Sequence, residues 1–153
     1  MIRLTIFIII FIVIFAGIFY QDKLNESKKN QIVSDVNAAV KLVESEGESS
    51  FSEFYSSKWF KGDEYIFIWQ SDGLRVVYPP EPSGVGKNMS DLKDYDGKPI
   101  GKLFIDTAEK VEGWVEYRWP KPGEKNPSTK LTFIKKAVYQ NKTYLVGSGI
   151  YLD

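Results

Sequence analysis

The chain has 153 residues, with 20 Lys plus Arg balanced by 20 Asp plus Glu, so neither a basic stripe for nucleic acid nor an acidic tail for a cationic partner stands out. It contains no His and no Cys, which excludes a Ser-His-Asp triad, a cysteine nucleophile, haem attachment, an ordinary zinc site and any disulfide. Only carboxylate, Ser-Lys or oxygen-ligand chemistry would remain, and the expectation is a protein that is not an enzyme and holds no cofactor or metal.

An apolar run from Leu4 to Tyr20 stands behind Arg3. At about 1.5 Å per residue it extends about 26 Å, close to the roughly 30 Å hydrocarbon core of a bilayer. Ile and Phe surround its whole circumference, which disfavours a core helix of a soluble domain. A secretory signal has a shorter apolar region and a small-x-small cleavage site, whereas only Ala16-Gly17 is offered here; an uncleaved anchor is preferred, with secretion the consequence if the segment is removed. The α-amino group and Arg3 precede the run, so the rest of the chain is expected outside the cytoplasm, on a single-pass cell-membrane protein. Residues 1–20 are then anchor or signal, 21–46 a helix leading into the domain, and 47–153 the domain core. About 130 residues beyond the run suffice for one hydrophobic core.

Ile32, Val36, Ala39, Val40 and Val43 recur at helical spacing and predict one apolar face within 21–46, packed on the domain; pairing as a coiled coil, and hence a homodimer, is the alternative. Gly47 is a stop, and Ser50 to Glu53 has the spacing of a capping box for a short second helix. Glu64 to Gln70 and Leu74 to Tyr78 flank Ser71-Asp72-Gly73 and read as a β-hairpin. From Pro80 to Lys98 the chain is irregular, a loop long enough to suggest function. Helix returns near Pro99 with Ile100, Leu103, Phe104, Ala108 and Val111 on one face. Strands follow over Trp114–Trp119, Lys130–Val138 and Thr143–Tyr151, with 120–129 as the intervening loop. Short connections favour an α+β fold built on an antiparallel sheet. No second apolar run and no output domain are recognisable, so any signal is expected to pass to a separate protein.

Trp119-Pro120-Lys121-Pro122-Gly123, followed by Lys130, is the most suggestive constellation. An aromatic rim excludes water from a small carboxylate while an ammonium pairs with its charge. Tyr117 shares the strand face of Trp119, and Arg118 points away. The plain alternative is that Tyr117 and Trp119 are core and Lys130 a solvated strand end. Asp91, Asp94, Asp96 and Asp106 lack the loop of an EF-hand, and an Asp-Gly turn is the better reading.

Tyr65-Ile66-Phe67-Ile68-Trp69, Asp72-Gly73, Tyr78-Pro79, Val85-Gly86-Lys87-Asn88, Leu92-Lys93-Asp94, Asp96-Gly97-Lys98, Gly113-Trp114-Val115, Tyr117 to Gly123, Lys130 and Val146 to Tyr151 occur in the order seen in single Cache domains. The chain resembles these extracytoplasmic sensing modules of chemoreceptors and sensor kinases from about residue 30 onward. The resemblance implies a PAS-like, five-stranded antiparallel sheet with a long N-terminal helix and a second helix packed on it. It also implies a pocket for a short organic acid such as acetate, propionate, lactate or pyruvate. Trp119 and Tyr117 would line that pocket, Lys130 would meet the carboxylate, and Trp69, Tyr78 and Phe133 would sit nearby. Many members have His where this chain has Tyr78, and Tyr where it has Phe133. The leading expectation is therefore a membrane-anchored sensor module without its own output domain, used in chemotaxis or related signal transduction. The rival is a structural or interaction protein in which bulky Tyr78 and Phe133 fill a degenerate pocket.

Overall fold

A computed structural model describes the backbone of residues 2–152 and the side chains of residues 20–152. Helix α1, Ile2–Glu46, leads the chain. The membrane-crossing expectation for residues 4–20 falls outside the described side chains; among the described residues no helix is long and apolar enough to cross a membrane. The face predicted for 21–46 is the face that packs: Ile32, Val36, Ala39, Val40 and Val43 are all buried. The Ile and Val side chains contribute about 1.5–3 kcal/mol each when fully buried, and Ala39 less, so this part of α1 is held by packing on the sheet.

Gly47, at φ +60°, ends α1 and opens directly into a 3₁₀ helix, Gly47–Tyr55. The expected capping box is therefore corrected: Ser50 lies inside this turn and its hydroxyl donates back to the Gly47 carbonyl at 2.6 Å. A small hairpin follows, β1 (Phe60–Lys61) with β2 (Glu64–Tyr65), which the periodicity did not indicate.

The main sheet contains β3 (Phe67–Gln70), β4 (Arg75–Val77), β5 (Glu112–Pro120), β6 (Pro127–Tyr139) and β7 (Lys142–Tyr151). Its spatial order is β4-β3-β7-β6-β5, antiparallel throughout. Strands β5 and β6 pair as far as Pro120 with Pro127, so the expected 120–129 loop shrinks to a hairpin connection at 121–126. Helix α2, Ile100–Glu109, stops before Val111. Val111 is exposed at φ 86°, a correction to its expected place on the buried face. The chain must reverse there to enter β5, and Lys136 N–H closes the reversal by donating to the Val111 carbonyl at 2.8 Å.

Side chains alternate across a strand, so the sheet separates two apolar layers. Ile66, Ile68, Phe133, Ala137 and Val146 face α1. Tyr65, Phe67, Trp69, Val115, Tyr117 and Ile134 face α2 and the long loop. The candidate site lies in this second layer.

Candidate ligand-binding site

Strand geometry aims the aromatic side chains first. Tyr65, Phe67 and Trp69 alternate along one segment, and Tyr117 and Trp119 do so along β5. Phe104 from α2 closes over them, with its ring 5.7 Å from Phe67, 5.4 Å from Trp69 and 5.4 Å from Tyr117. These rings, with Arg75, Tyr78, Leu92 and Ile100, line an inner cleft of about 310 Å³, counted with its mouth. Its interior is narrow: only about 20 Å³ can hold the centre of a water molecule. Tyr65, Tyr78 and Trp119 also border a wider outer cleft of about 1050 Å³, likewise counted with its open mouth, flanked by the long loop at Glu81 and Tyr95 and by the Lys121–Glu124 turn.

Lys130 is placed by register. It pairs with Tyr117 of β5 on one side and Tyr151 of β7 on the other, so the three side chains share a face. Its ammonium donates to the Tyr65 hydroxyl at 2.9 Å and lies 4.2 Å from the Tyr65 ring centre and 4.7 Å from that of Tyr151. The residue is only 1% exposed, and among the described residues no carboxylate stands within ion-pair distance of it. Burial pushes its pKa down to about 7, with the charge of Asp63 working weakly the other way. Lys130 is thus neither a solvated strand end nor a wall of the cleft. It stands one side chain behind, with Tyr65 between.

The neighbouring phenols are held neutral. Burial first, then the surrounding hydroxyls, raises Tyr65; burial outweighs the Thr132 contact and raises Tyr117. Tyr117 and Thr132 share a 3.0 Å hydrogen bond between hydroxyls. Tyr151 donates to the Pro120 carbonyl at 2.7 Å, pinning the end of β7 to the rim.

The structure brings Trp69, Tyr78, Tyr117 and Trp119 together around one cleft, with Lys130 behind it. Phe133 is not there. It lies three positions from Lys130, an odd step along β6, so it projects from the other face, into the α1 layer and against Trp114 at 5.1 Å. The expectation that Phe133 borders the ligand is corrected by this parity. Arg75, Tyr65 and Tyr151 are residues that sequence reasoning missed. Alternation from Trp69 would have reached Tyr65, and a single charge within the apolar stretch Leu74–Tyr78 was the signal for Arg75.

The long loop is fastened rather than free. Asp94 Oδ1 accepts the N–H groups of Asp96 and Lys98 at 3.0 and 2.8 Å, and Oδ2 accepts that of Arg118 at 3.0 Å, tying the loop to β5. Among the described residues no group of three or more acidic side chains is arranged to hold a metal ion.

A cleft of this kind, between a PAS-like sheet and the loop over it, agrees with the sequence profile of the Cache domain, which matches residues 11–153. The chain belongs to the Cache domain family. This Cache domain is 26% identical over 144 residues to the sensor histidine kinase MctS of Rhizobium johnstonii, covering 88% of the chain and 31% of the kinase. It is 29% identical over 92 residues to the methyl-accepting chemotaxis protein McpP of Pseudomonas putida, covering 60% of the chain and 16% of that receptor. The chain thus spans less than a third of the curated relatives it matches. Among solved structures, a periplasmic sensor domain of a chemotaxis protein superposes with a TM-score of 0.73 at 27% identity, covering 84% of this chain and 97% of that one. A methyl-accepting chemotaxis protein from Vibrio parahaemolyticus superposes at 0.71 with 25% identity, over 87% and 94% of the two chains. The Cache domain is therefore a sensor module of the kind carried by chemoreceptors and sensor kinases, a ligand-binding signalling part, with homologues on the periplasmic side of the membrane.

Proposed function

We propose that this Cache domain is held at the cell membrane by residues 4–20, lies outside the cytoplasm, and binds a short carboxylate such as acetate, propionate, lactate or pyruvate between its sheet and its long loop. Trp69, Tyr78, Tyr117 and Trp119 form the apolar walls, and Lys130 supplies positive charge through Tyr65. One observation carries the reading: a buried ammonium that has no acid partner among the described residues is hydrogen-bonded to a phenol that lines the cleft. A lone buried cation is costly, and an entering carboxylate offsets that cost by supplying the missing anion. The Tyr65 oxygen accepts from Lys130, which leaves its own proton to donate toward the ligand. Occupancy would shift the Pro80–Lys98 loop and be passed to a signalling partner, a second copy of the domain serving as the platform.

The narrowness of the inner cleft favours one rival, a filled pocket in an interaction protein. Calorimetry on the detergent-solubilised chain with two- to four-carbon acids separates the two. Binding tighter than about 1 mM, lost on Lys130→Ala, supports the sensor; no acid binding in that range defeats it. Protease protection of the chain in sealed cells tests its expected side of the membrane.

A further inference from the structure

Arg75 is a buried cation, 8% exposed, at the start of β4. Unlike Lys130 it lines the inner cleft itself, beside Phe67, Trp69 and Phe104. Its guanidinium carbon lies 4.1 Å from the Tyr78 ring centre, stacked over the aromatic face, and its Nε donates to the Gly84 carbonyl at 2.9 Å. Among the described residues no carboxylate is within ion-pair distance of it. A guanidinium presents a planar fork of donors, and among the described residues only Nε has a hydrogen-bond partner, the Gly84 carbonyl, so the Nη groups can meet both oxygens of a carboxylate.

Backbone contacts join the same residue to the loop. Arg75 N–H donates to the Lys87 carbonyl at 3.0 Å, and its own carbonyl accepts from Gly86 N–H at 2.9 Å. A Cβ on Gly84 would collide with the guanidinium, so the loop approaches the arginine as closely as a glycine permits. Any ligand that draws on the Arg75 side chain therefore draws on residues 84–87 as well.

We propose that Arg75 grips the ligand's carboxylate directly and couples it to the long loop, while Lys130 is a positioning residue that acts through Tyr65. This assignment rests on the carboxylate reading above. The remaining wall, Phe67, Trp69, Leu92, Ile100 and Phe104, is apolar and would meet a short hydrocarbon tail once the narrow interior opens, so the ligand class is a small monocarboxylate with a hydrocarbon end.

The test uses the full chain in detergent, titrated with propionate and with its neutral isostere propionamide. Arg75→Gln, which keeps donors and removes charge, is expected to weaken propionate on the order of 10- to 100-fold and leave propionamide unchanged, with Arg75→Lys recovering part of the loss. Gly84→Ala, which displaces the guanidinium without altering its charge, is expected to weaken propionate as well and serves if Arg75→Gln does not fold. A purely structural arginine would lower both ligands alike or neither. If the wild type binds propionate and the arginine and glycine variants bind it within about threefold of wild type, the Arg75 assignment is overturned and the carboxylate reading stands. If the wild type binds no short acid, the carboxylate reading itself fails and takes this assignment with it.

Discussion

The Lys130 ammonium meets the cleft only through the Tyr65 hydroxyl, 2.9 Å away, because both residues are buried and only the tyrosine reaches the wall. Asp63, Tyr65, Tyr78, Tyr117 and Tyr151 are the titratable groups that surround or act on this pair. Burial raises the pKa of Tyr65, Tyr117 and Tyr151, so within the pair it is Lys130 whose charge changes near neutrality, beside the fixed charge of Arg75.

Its pKa is down at about 7 in the fold, from 10.5 in the free side chain. Between those values the unfolded chain binds more protons than the folded one, so stability rises with pH there, by up to about 1.4 kcal/mol per pH unit. Urea unfolding of the ligand-free protein from pH 7 to 9 is expected to show this rise, and Lys130→Met is expected to flatten it. Carboxylate binding should run the other way, weakening above pH 7 as the ammonium is lost. An identical slope in wild type and variant would refute the account.

Asp94 governs the loop. Burial pushes its carboxyl up, but the N–H groups of Arg118, Lys98 and Asp96 and the Lys98 charge outweigh that, and its pKa ends below the ordinary value. The tether is therefore present above the unfolded-state pKa of about 4 and lost as pH falls through the lower folded value. Hydrogen exchange should show amides 96, 98 and 118 at least about tenfold less protected in Asp94→Ala at neutral pH, with little change in β6. Equal protection in both proteins would mean the loop is held by other contacts.

Gly47 and Gly62 form a matched pair, at φ +60° and +65°. A Cβ on Gly47 would enter the Tyr139 ring, whereas one on Gly62 would meet nothing within 4 Å. Gly62→Ala is expected to cost only the left-handed conformation, roughly 1 kcal/mol, and Gly47→Ala that amount plus the collision, roughly 2–4 kcal/mol in all. Paired chemical denaturation measures the difference; equal losses would show that Tyr139 moves aside without penalty.

Much of the architecture was legible in the chain because it rests on periodicity. The α1 face, the β3–β4 hairpin, α2 and the three long strands are each specified by spacing that local geometry imposes. Errors fall where the chain changes direction. Val111 continued the helical pattern yet occupies a left-handed turn, since entry into β5 outweighs one more apolar contact. The reach of β5 and β6 through Pro120 and Pro127 was hidden because proline usually signals a loop, and here the prolines pair across the end of the ladder.

The candidate site divides along the same line. Tyr117 and Trp119 were found by alternation, and the same alternation, applied from Lys130, would have excluded Phe133. Order along the chain dictated which side chains stand on a common face, because the pleat of a strand repeats every two residues. It said nothing of which face meets which helix, nor that Tyr65 comes between Lys130 and the cleft, nor that Arg75 turns inward beneath Gly84. Those relations join residues far apart in the chain and arise only when packed layers compete for the same volume, which no local rule can rank.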